Sequence, residues 1–164
     1  VGPALVVSFG DDLPAASLAE GLDYLRFWAT PERLRALRDA PPERRAAAWA
    51  EFLRASDPVA GTPEHEGLRE YFARLRTANA RFREEATPGW LTDRGRAFLA
   101  LGEPDEIVDP NDADGPPRGR VQVWRYLGAR LALQFTDVTG FGRWRLAPTS
   151  VAEVEAALRR QMVR

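Results

Sequence analysis

Cysteine is absent from the 164 residues, which excludes disulfides, thiolate metal sites and cysteine nucleophiles. Lysine is absent too, so all 23 basic side chains are arginines, whose planar forks pair with carboxylates in a way an ammonium cannot. Histidine occurs once, at His65. A Ser-His-Asp triad would have to use it, yet it stands at the start of a charged helical stretch, and no Gly-x-Ser-x-Gly elbow exists to partner it. One histidine without cysteine also falls short of a zinc ligand set. The formal net charge is -1 and its signs are interspersed, so the basic stripe of a nucleic-acid binder is missing. No apolar run approaches the roughly 20 residues that span a bilayer, and no signal peptide is visible. The chain starts at Val1 rather than Met, as a processed product or an excised fragment would.

What is present divides by periodicity. Residues 1–16 read as a lead-in, with Ala4–Phe9 as the remnant strand of an upstream domain. Residues 17–86 read as a helical segment. Leu18, Leu22 and Leu25 recur at helical spacing; Thr30, Pro31 and Glu32 start a second helix. Ala46, Trp49 and Leu53 form the stripe of a third. The longest follows the Thr62-Pro63-Glu64 cap, with Leu68, Tyr71, Phe72, Leu75 and Phe82 on one face.

Residues 87–148 change period. A short helix over about 93–101 is stopped by Gly102 and Pro104, and Pro104 starts the path to a strand at Ile107. A polar loop follows, then two alternating runs around Gly128-Ala129 that read as a hairpin, a second turn, and a short strand at Arg143–Ala147. Residues 149–164 read as a C-terminal helix, with Ser150 and Glu153 at capping-box spacing. The fold class is therefore α+β: helices, a short helix, an antiparallel sheet of about three strands, and a closing helix, in one compact unit.

The stretch Pro88–Ile107 concentrates the chemistry. Read structurally, Pro88-Gly89 is a turn, Thr92 or Asp93 caps the short helix, and Trp90 staples it. Read functionally, Trp90 beside Arg94, Arg96, Asp105 and Glu106 makes a hot spot for a partner. A third reading makes Asp93 and Asp105 the carboxylate pair of a hydrolase acting on glycan or peptide.

Gly89-Trp90-Leu91-Thr92-Asp93, continued by "RGRAFLALGEPDEI", resembles the GWxTD domain, a bacterial family. Asp57-Pro58, Thr62-Pro63-Glu64, Glu70-Tyr71 and Ala78-Asn79 resemble its upstream helical elements; "VWRY" and "TDVTGFGRWRL" resemble its strand pair and Gly-Phe-Gly turn. His65 departs from the family's usual Asn. The resemblance implies no particular activity. It implies export: a periplasmic, outer-membrane-associated or secreted location, with a protein partner in the envelope or an upstream domain of the same chain. Residues 92–146 are also similar, at the level of fold, to small outer-membrane assembly lipoproteins, which bind proteins.

Three further motifs are weighed on their residues. Asp109–Gly115 offers calcium-type oxygens, but Ala113 falls on a ligand position and no Glu closes the loop, so an exposed turn is expected. Gly140-Phe141-Gly142-Arg143 lacks the third glycine and the lysine of phosphate loops, which leaves turn glycines. Trp124, Tyr126 and Trp144, with Arg125, Arg143 and Arg145 opposite them, make either a core face or an Arg-aromatic binding face that includes Phe141. The sequence favours a non-enzymatic envelope module that binds another protein or a surface polymer. It predicts no cofactor, no metal, no nucleic-acid partner and no transmembrane segment. The Asp93/Asp105 hydrolase is the alternative.

Overall fold

The computed structural model describes residues 17–56, 66–109 and 119–162. The chain divides into two compact units, residues 1–76 with 161–164, and residues 77–160. The division falls inside a helix, Glu66–Arg81.

The first unit is helical. Helix α1, Leu18–Asp23, is capped by Ser17, whose Oγ accepts from Glu20 N at 3.2 Å. Helix α2, Pro31–Asp39, begins after Thr30, which holds the N-cap conformation without a side-chain cap bond. A 3-10 turn, Pro42–Arg44, leads into α3, Arg45–Ala55. Helix α4, Glu66–Arg81, enters from this unit. Leu22, Leu25, Leu68, Tyr71 and Leu75 are buried, as their spacing predicts, and so are Leu34 and Leu37 of α2; Leu18 at the start of α1 is exposed and Phe72 half-buried, since each lies at the margin of its helix's apolar face. Helix α3 differs: Phe52 is its buried residue, Ala46 is exposed, and Trp49 and Leu53 are half-buried. Trp49 stacks on Phe52, 5.4 Å between ring centroids, and so covers the buried ring from outside. The Thr62-Pro63-Glu64 cap, His65 and Ala4–Phe9 lie outside the described residues.

The second unit carries the sheet. After a 3-10 turn, Gly89–Leu91, come α5, Asp93–Leu101, and β1, Glu106–Val108. Then follow β2, Arg120–Tyr126, β3, Leu131–Asp137, β4, Arg145–Leu146, and α6, Pro148–Gln161. The sheet is antiparallel in the order β1-β2-β3-β4. Four strands stand where about three are expected: the strand at Ile107 is the three-residue edge strand β1, which makes the fourth.

Trp124 pairs with Ile107 on one side and Leu133 on the other, and Phe135 pairs with Gln122 and Leu146, so these residues share one face. That face holds the core: Trp124 lies 4.8 Å from Phe135 and 5.3 Å from Phe82, and Phe82 lies 5.5 Å from Phe98. The aromatics are core, and Arg125 and Arg145 fall on the opposite face. Tyr126 donates to Gly102 O at 3.1 Å, and burial pushes its phenol pKa up. Ser150 is not the cap of α6. The helix starts two residues earlier, because Pro148 takes its first turn without needing a donor, and Ser150 Oγ accepts instead from Gln134 N of β3 at 3.4 Å.

Candidate functional site

Two glycines and a threonine build the joint around Trp90. Gly89 N donates to Asn79 Oδ1 at 3.0 Å. A Cβ on Gly89 would stand 2.3 Å from Ala78 O and 2.6 Å from Asn79 O, so the chain crosses the end of α4 closer than any side chain permits. Thr92 caps α5: its Oγ1 accepts from Gly95 N at 3.1 Å and donates to Gly89 O at 2.7 Å. Gly95 in turn presses on Gly89, and a Cβ there would meet Gly89 O at 1.9 Å. Trp90 is 5% exposed.

Thr92, not Asp93, is the cap. Asp93 Oδ2 accepts from Leu146 N at 2.8 Å and fastens α5 to β4. Asp105 Oδ2 accepts from Leu127 N at 2.6 Å, just past the end of β2. The two carboxylates thus accept from backbone amides that lie apart, one in β4 and one just past β2, with β3 between β2 and β4 in the sheet order. Pro104 is buried at the entry to β1.

The arginines have distinct surroundings. Arg96 pairs with Glu155 of α6, and Arg125 pairs with Glu106 across β1 and β2 at 3.2 Å in solvent. Arg94 lies between rings, 4.9 Å from the Trp144 centroid and 5.5 Å from that of Phe82. Burial pulls its guanidinium pKa down, and Glu84 opposes the shift. Arg120 approaches Trp144 at 5.4 Å.

The most heavily bonded carboxylate is Asp137, which sequence reasoning passed over as a turn residue. It is fully buried. It accepts from Arg120 at 2.9 Å, Thr139 Oγ1 at 3.0 Å, Gly140 N at 3.0 Å and Gly142 N at 2.7 Å. Burial alone would raise its pKa; Arg120, the Gly142 and Gly140 amides and Thr139 overcome that and hold it at about 2. The signal was legible in Asp137-Val138-Thr139-Gly140: an Asp two residues before a Thr and three before a Gly is a local acceptor for both. Gly140 at φ 74° and Gly142 at φ 84° are the turn glycines expected. The loop so fixed presents Phe141, 88% exposed, and Val138, 77% exposed.

The family model of the GWxTD domain matches residues 5–135. The chain belongs to the GWxTD domain family. No curated protein and no solved structure matches it. The GWxTD signature has a physical content here: Gly89 for close approach, Trp90 for burial, Thr92 for the cap, Asp93 for the tie to β4. The Ala78-Asn79 pair belongs with them, since it supplies the oxygens under Gly89. The matched region stops at residue 135, before the Asp137 loop and β4. Among the described residues no helix is long and apolar enough to cross a membrane, and no cluster of His and acidic residues has the makings of a metal site. The Asp109–Gly115 loop lies outside the described residues beyond Asp109, which accepts from Gln122 at 3.4 Å.

The GWxTD aspartate yields a direct test. Asp93→Ala leaves Leu146 N without its acceptor and is expected to lower stability by about 1–3 kcal/mol. Asp93→Asn keeps an acceptor oxygen and should recover most of that. Urea unfolding of the two variants measures the difference. Equal losses in both would mean that the charge, not the acceptor, holds β4.

Proposed function

We propose that this GWxTD chain is a non-enzymatic binding module of the bacterial envelope or exterior, docking on another protein or a surface polymer. The observation that carries the reading is the Asp137 loop. A large aromatic side chain stands almost wholly in solvent on a backbone whose donors are already satisfied: Gly140 N and Gly142 N by Asp137, Phe141 N by Thr139 Oγ1 at 3.4 Å. An exposed aromatic adds nothing to the fold, while a rigid one lowers the ordering cost of docking. Arg120, which bonds Asp137 and Gly140 O, and Arg143, which pairs with Glu85, flank it as interface residues do. The engagement of Asp93 and Asp105 with backbone amides also favours binding over hydrolysis.

A photo-crosslinking residue in place of Phe141 tests this in extracts of the source organism. A discrete adduct is expected, absent when the same residue replaces the exposed Thr149 at the start of α6. Phe141→Ser should leave stability within about 0.5 kcal/mol of the parent chain. Matching adduct patterns at both positions would reject the loop as a docking surface. Turnover of a glycan or peptide that is lost in Asp93→Asn or Asp105→Asn would reject the non-enzymatic reading.

A further inference from the structure

At the other end of the β2–β3 hairpin from Phe141, the second unit has an open groove of about 400 Å³ between the hairpin loop, the end of α5 and α6. Its floor is apolar: Leu101, Leu131 and the small side chains of Ala152 and Ala156. Arg130 and Arg160 stand on its rim with Glu153. Among the described residues, neither Arg130 nor Arg160 has a carboxylate partner. Arg81, Arg96, Arg120, Arg125, Arg143 and Arg145 of the same unit are paired, while among the described residues Arg83, Arg94 and Arg159 form no ion pair either; Arg130 and Arg160 differ from those three in lining one groove together.

Arg130 is unusual in its backbone. It ends the four-residue hairpin loop at φ 52°, in the left-handed region where such loops ordinarily place glycine or asparagine. Arg130 thus holds a strained turn position, unpaired and beside an apolar floor.

The geometry points to this groove as the docking site for an acidic amphipathic segment of another protein, its apolar side chains on Leu101, Leu131, Ala152 and Ala156 and its carboxylates on Arg130 and Arg160. Charge selects the occupant: two unpaired guanidinium groups against the single carboxylate of Glu153 favour an anionic partner. The open, elongated floor suits a helix or extended chain laid along α6. The assignment rests on the binding-module reading but uses a surface separate from Phe141.

The probe is a fluorescein-labelled amphipathic peptide with leucine and alanine on one face and glutamate on the other, compared with the same peptide carrying lysine for glutamate. Anisotropy titration should show binding of the acidic peptide alone. Ala152→Glu, an exposed position where the new carboxylate opposes the probe, should weaken it at least about tenfold. Arg130→Gly should weaken it too while raising the melting temperature, because glycine relaxes the turn; a purely structural Arg130 would show no loss of binding. Equal binding of the lysine peptide, no binding of either peptide, or acidic-peptide binding unchanged in Ala152→Glu and Arg130→Gly would each overturn the groove assignment. Decanoate that binds the groove and displaces the peptide would overturn the protein partner in favour of a lipid-like anion. None of these results touches the Phe141 crosslink, so the two readings fail separately.

Discussion

Gly95→Ala is expected to destabilise the protein by more than about 4 kcal/mol, enough to prevent folding. The sign is opposite to the usual one, since alanine in a helix is ordinarily better than glycine by about 1 kcal/mol. Gly95 lies in the first turn of α5, and the oxygen that its Cβ would strike at 1.9 Å belongs to the backbone of Gly89. A side chain could rotate away; this oxygen cannot, because it accepts from Thr92 Oγ1 and from Thr92 N, and Gly89 itself rests on Ala78 and Asn79. Relief would mean parting the 3-10 turn from α5 and losing the cap. Circular dichroism and urea unfolding read the outcome. Gly128→Ala is the control, since nothing lies within 4 Å of its Cβ position. A Gly95→Ala protein as stable as that control would refute the close-packed joint.

Asp137→Asn is expected to cost about 2–4 kcal/mol at neutral pH. Asparagine keeps one acceptor oxygen and turns an amide donor toward the loop N–H groups, while Arg120 loses its counter-charge. The pH dependence has a definite sign. The folded carboxyl sits at about 2, below the ordinary 3.8. Its stabilisation is therefore fully present above the unfolded value and is lost as pH falls through the folded one. The stability gap between the parent chain and Asp137→Asn should be widest above about pH 5 and shrink toward pH 2. A gap constant over that range would mean that the carboxylate is not charged in the loop. Since the loop presents Phe141, the variant should also lose the Phe141 crosslink before the rest of the unit unfolds.

The sequence by itself determined the α+β class, the helical first half, the β2–β3 hairpin and the family. These are written in local period and composition: alternation puts Trp124 and Tyr126 on one face of β2 and Leu131, Leu133 and Phe135 on one face of β3, and only the pairing of Trp124 with Leu133 and the cover of Phe82 make the two a single core face. Short or distant features were decided only by the tertiary structure. The bounds and partner of β1 were set by its pairing with Val123, Trp124 and Arg125, since three residues carry no period of their own. The cap went to Thr92 because Asp93 had a better donor at Leu146, 53 residues away. Gly95 reads as an ordinary residue in the first turn of a helix, and only the approach of Gly89 makes its missing Cβ a requirement. The exposure of Phe141 and the unpaired state of Arg130 likewise depend on which surfaces the rest of the chain covers. Covalent neighbours set periodicity, but close approach and exposure are properties of residues far apart in sequence, so they become visible only once the chain has folded.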